Sequence, residues 1–140
     1  MKYIVIHCSD SPQGRVDGAG EIHQWHVEKG WAGIGYHAVI DEEGLVMRGR
    51  PVFPETKTFW AGAHVRGHNH ESIGICLIGI DDFTLEQMSA LRSLVFDYKR
   101  SWPDAEVVGH CDLDDRKTCP NFDVKNWYKH GWHFMTAKEQ

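Results

Sequence analysis

Apolar residues fall into two kinds of pattern along the chain. Continuous runs rich in β-branched residues occur in "KYIVIHCS" (2–9) and "SIGICLIG" (72–79). Runs of that length predict strands buried on both faces. A shorter run, "EVVGH" (106–110), predicts a third strand that delivers His110. Within 35–50, "YHAVI" and "LVMRG" predict a hairpin closed at Gly44. Helical spacing is clearest over 84–102, where Leu85, Met88, Leu91, Leu94, Val95 and Tyr98 share one face. Thr84 and Gln87 form a capping box at its start, and Pro103 ends it. "EIHQWHVEKG" (21–30) predicts another helix, with Ile22, Trp25 and Lys29 on one side and Gly30 at its stop. "FDVKNWYKHGW" (122–132) predicts a short last helix, and "SDSPQGRVDGAG" (9–20) a loop of turn formers. Residues 51–71 form a long polar and aromatic loop, and a loop of that length in a compact domain is more often functional than idle. Strands mixed with helices around one core predict a single α/β (α+β mixed) domain over 1–140, with a central mixed sheet flanked by helices.

Composition narrows the classes of function. A chain of 140 residues with 41% hydrophobic and 25% charged residues suits one soluble, folded domain. No apolar run is long enough for a bilayer, so no membrane insertion is expected. The first run meets His7 with no small-residue cleavage site, so no signal peptide is expected and a reducing cytoplasm is the expected location. The net charge of −5, unbroken by any lysine or arginine run, argues against nucleic acid as a ligand. Four cysteines in such a chain point to ligand, catalytic or core roles rather than a disulfide framework.

The loop "GHCDLDDRKTCPNF" (109–122) carries the candidate chemistry. His7 and His110 each end a predicted strand, and strand ends in one sheet can converge. Cys119 follows His110 by nine residues, across a loop able to fold back. Two imidazoles and a thiolate make a donor set suited to zinc, and three protein ligands leave a fourth position open. Cys8 follows His7 on a strand and should turn to the opposite face, into the core. Cys111 is a competing ligand. A hydrogen-bonded core histidine and an ordinary loop account for the same residues, and spacing alone does not decide.

Five segments taken together resemble a known family: "IVIHCS", "IHQWHVEKGWAGIGYHAVI", "GAHVRGHNHESIGICLIG", "TLEQMSALRSLV" and "GHCDLDDRKTCPNFD". In this order they are similar to the zinc-dependent N-acetylmuramoyl-L-alanine amidases of the amidase-2 and peptidoglycan-recognition-protein group, and most of all to small phage lysozymes of the amidase type. The resemblance implies that His7, His110 and Cys119 bind Zn2+ in a surface cleft. It places a catalytic tyrosine at Tyr36 and a catalytic lysine at Lys117. It differs from the phage members at Cys111, where they carry a second histidine, and in a longer loop before Cys119. The implied reaction is hydrolysis of the amide between N-acetylmuramic acid and L-alanine of peptidoglycan, by an endolysin that reaches the wall when the membrane is breached. Cytoplasmic recycling of muropeptides, and a binding role toward wall fragments or a phage RNA polymerase, are the alternatives. A monomer is expected. His37, His64 and Asn69 are candidate substrate-binding residues, with His37 turned away from Tyr36 as support. Trp60 is a candidate for stacking on a sugar or for the core, and Arg66 and Lys57 for meeting stem-peptide carboxylates.

Overall fold

The computed structural model describes residues 1–11, 19–30 and 33–130. The middle of the 9–20 loop and the end of the last predicted helix lie outside them.

Four strands run parallel: β1 (Tyr3–Cys8), β2 (Ala38–Ile40), β6 (Ser72–Leu77) and β7 (Glu106–Gly109). β3 (Val46–Arg48) pairs antiparallel with β2, giving the order β3-β2-β6-β1-β7 and a mixed sheet. The predicted hairpin is present, with strands shorter than expected. Asp41 draws its turn tight by accepting from the backbone of Glu43 and Leu45. Gly44 takes φ +85° there, and a Cβ would sit 2.8 Å from the Glu86 carbonyl oxygen.

Strand alternation sorts the central residues into two faces. Ile4, Ile6 and Cys8 of β1 and Ile73, Ile75 and Leu77 of β6 pack into one core cluster. The long helix α2 (Leu85–Ser101) covers it with Met88, Leu91, Leu94, Val95 and Tyr98. Val5, His7, Ser72, Gly74 and Cys76 alternate with those residues and so belong to the other face. That face is covered by α1 (Ala19–Glu28) and the chain around Val65. Residues 51–71 are not one irregular loop: β4 (Val52–Phe53) and β5 (Thr58–Phe59) form a small hairpin within them. Two-residue strands leave too little alternation to read.

The capping box at Thr84 and Gln87 is present, but the buried face is shifted from the sequence expectation. Leu85 is exposed at the first turn, while Gln87 is fully buried. Its amide donates to the carbonyls of Ile40 and Ile78, and its oxygen accepts from Thr84 N–H. On α1 the buried positions are Ile22 and His26, and Lys29 is exposed. Among the described residues, no helix is long and apolar enough to cross a membrane. α3 (His110–Leu113) and α4 (Val124–His130) complete the fold.

Candidate metal centre and active-site cleft

Register brings the first two candidate ligands together. β1 and β7 are parallel neighbours with Ile6 opposite Gly109, so the next residues, His7 and His110, emerge side by side at the carboxyl edge of the sheet. Their ring centroids are 4.6 Å apart. His110 is not a strand residue, as the sequence suggested, but the first residue of α3, and Asp112 caps this turn by accepting from Gly109 N–H.

The loop after α3 folds back as the metal reading required. Cys111 N–H donates to the Cys119 carbonyl at 2.9 Å, closing the loop on itself. The Cys119 sulfur then lies 3.0 Å from the backbone nitrogen of Cys8. One donor atom from each of His7, His110 and Cys119 lies within 4.8 Å of the others. Ligands held at about 2.0–2.3 Å by a tetrahedral zinc ion stand about 3.5 Å apart, so small adjustments close the site. All four cysteines are free thiols. Cys8 is buried on the α2 face, and Cys111 stays outside the ligand group.

The electrostatics suit a cation. Burial, reinforced by the neighbouring histidines, holds the His7 imidazole well below its ordinary value, and burial lowers His110. Both therefore offer neutral rings at pH 7, as a metal requires. The hydrogen bond with Cys8, and then burial, push the Cys119 thiol up. A thiolate at that position needs a neighbouring positive ion to form.

Around these three residues open two adjoining hollows, of about 550 and about 310 Å³. Tyr36, His110, Arg116 and Lys117 line both. The Tyr36 ring lies 5.0 Å from that of His7, and burial raises its hydroxyl well above the ordinary range, with the nearby thiols of Cys76 and Cys119 adding to the effect. Arg116 pairs with Asp114 beside Lys117. His64, Arg66 and Asn69 line the larger hollow.

The other candidates take different places. His37 is buried and committed to backbone: its Nδ1 accepts from Gly74 N–H, and its Nε2 bonds to the Trp60 carbonyl. Named as a candidate for substrate binding and for support, it ties the Trp60 carbonyl to the sheet. Asn69 also works on backbone, its Oδ1 accepting from the N–H groups of His64 and Val65. Trp60 is 63% exposed, not a core residue. Lys57 sits between β4 and β5, away from both hollows. No sequence signal indicated that His64 touches His7, 57 positions away, with Nδ1 and Nε2 2.8 Å apart. Nor did it show His26 accepting from Gly35 N–H beside Tyr36.

Comparison with known proteins agrees with this geometry. The sequence profile described as N-acetylmuramoyl-L-alanine amidase matches residues 1–122. The endolysin of Escherichia phage T7 is 39% identical over 134 residues, spanning 90% of this chain and 84% of the relative. The endolysin of Klebsiella phage KP32 is 40% identical over the same shares. Among solved structures, the N-acetylmuramoyl-L-alanine amidase LysC from Clostridium intestinale superposes with a TM-score of 0.75 at 27% identity, covering 88% of this chain and 78% of that one. With its fold, its cleft and its sequence in agreement, the chain belongs to the N-acetylmuramoyl-L-alanine amidase family.

Proposed function

We propose that this chain is an endolysin whose cleft hydrolyses the amide between N-acetylmuramic acid and L-alanine of peptidoglycan, with zinc held by His7, His110 and Cys119. The amidase family and fold, together with phage endolysin relatives, support the reaction and its substrate. The observation that carries the metal assignment is the convergence of those three donors at one sheet edge, beside a cleft.

Zinc bound there would supply a water that ionises near neutral pH and a Lewis acid for the scissile carbonyl. The chain's own residues do the rest. Lys117 stands on the cleft wall as a compact cation able to stabilise the oxyanion that forms when the amide is attacked. Tyr36, kept protonated by burial, acts as a hydrogen-bond donor and orienting group rather than a general base. The cleft's cationic side chains, Lys29, Arg66 and Lys117, offset the chain's overall negative charge and suit stem-peptide carboxylates. Hydrolysis at the wall follows membrane breach, the chain itself having been made in the host cytoplasm.

The test is metal analysis of the purified protein with an assay on purified sacculi, before and after chelation. The expected result is one zinc per chain and new alanine amino termini without new reducing sugar ends, lost on chelation and restored by zinc. Undiminished hydrolysis by metal-free protein would remove the zinc from the reaction, and new reducing ends alone would replace the amidase with a glycosidase.

A further inference from the structure

Behind the His7 ring lies a chain of hydrogen bonds that ends in a buried serine. The Ser72 hydroxyl donates its one hydrogen to the His68 carbonyl at 2.8 Å. It can therefore only accept from His64 Nε2, which lies 3.2 Å away. That places the His64 hydrogen on Nε2 and leaves a lone pair on Nδ1. His64 Nδ1 is 2.8 Å from His7 Nε2, so the hydrogen between them belongs to His7 Nε2. The His7 nitrogen left with a lone pair is Nδ1.

The surroundings are shaped to hold the intermediate ring. A Cβ on Gly74 would come within 2.6 Å of the His64 ring, and one on Gly62 within 2.5 Å. Only glycine at both positions lets the ring lie where it does. Asn69 fixes the backbone on either side of the Cα of His64 by accepting from His64 and Val65 N–H. Ser72 has no exposed surface, so water does not compete for its hydroxyl.

We infer that Ser72 and His64 are positioning residues that hold His7 in its Nε2–H tautomer and so present Nδ1 to the metal. Metal-bound histidines are commonly oriented by a partner on their other nitrogen, most often a carboxylate or carbonyl. Here a second neutral histidine fills that place, and its own tautomer is set by a hydroxyl. Were His64 to carry its hydrogen on Nδ1, His7 Nε2 would become the acceptor of the short contact and the His7 hydrogen would move to Nδ1, the atom a metal needs bare. Ser72, at the start of the strand next to β1, and His64, in the segment leading into that strand, thus govern which atom of His7 is offered.

This inference rests on the zinc reading of the site, and its test reads the metal rather than hydrolysis. In zinc-loaded wild-type protein, long-range proton–nitrogen NMR correlations should show Nε2–H tautomers for both His7 and His64. The Ser72→Ala variant removes a single buried oxygen. Its zinc dissociation constant, from competition with a chelating dye, should rise by about 10- to 100-fold, and His64 should sample both tautomers. A His7 hydrogen on Nδ1 in the wild type would overturn the inference without any variant. So would wild-type zinc affinity in a folded Ser72→Ala protein. In both cases zinc binding itself would stand. A wild-type protein that takes up no zinc would remove the metal reading and this inference together.

Discussion

Acidification should destabilise the metal-free protein well before its carboxylates titrate. Burial lowers His37 to about 4 and His64 to about 3. In the unfolded chain both return to about 6.5. Between these values the unfolded state binds protons that the folded state refuses, so stability is complete above about pH 6.5 and is lost as pH falls toward 4. One pH unit below the unfolded value, each histidine contributes a loss of about 1.4 kcal/mol, or about 3 kcal/mol for the pair at pH 5.5. His7, His26 and His110 are lowered by burial as well and add in the same direction. Against a total stability of about 5–15 kcal/mol, this is a large fraction. Urea denaturation of chelator-treated protein at pH 7.5 and pH 5.5 measures it, with an unchanged denaturant slope expected. Equal or greater stability at the lower pH would show that these rings are not held neutral in the fold, and the tautomer argument built on them would lose its footing.

Other outcomes follow from single side chains. Cys119→Ser should lose zinc and wall hydrolysis together, seen by metal analysis and the sacculus assay. Lys117→Ala should keep its zinc while turnover falls by about 10²- to 10³-fold, the usual loss for one oxyanion donor; normal turnover would end its assigned role. Gln87→Leu removes one hydrogen bond each from the Ile40 carbonyl, the Ile78 carbonyl and the Thr84 N–H and should cost about 2–4 kcal/mol in denaturation. Because Gln87 lies on the α2 face, its zinc affinity should match the wild type.

Much of the site was legible because it lies where strong patterns end. The apolar runs stop at His7 and next to His110, and parallel pairing of those strands turns two sequence boundaries into one place. The capping box at Thr84 was readable because it is local. His64 was not, since nothing in its own loop segment signals a partner 57 residues away on β1. The capping role of Gln87 was readable, but its burial was not, because its amide satisfies the carbonyls of Ile40 and Ile78, which only the tertiary fold brings near. The support role offered for His37 was readable from strand alternation, but its partner was not: its ring accepts from Gly74, in a strand far along the chain. Tyr36 and Lys117 carry no local signature, and it was the resemblance to known amidases that singled them out.

Among the described residues β7 lies at the margin of the sheet, with β1 as its one strand partner. A margin strand of four residues is where a sheet opens first. An ion gripped by His7 on β1, by His110 just past β7 and by Cys119 beyond would rivet that seam shut. Removing it should let Val107 and Val108 exchange their amide hydrogens faster while the rest of the sheet keeps its protection, so the atom proposed to equip the cleft would also fasten the hem of the fold.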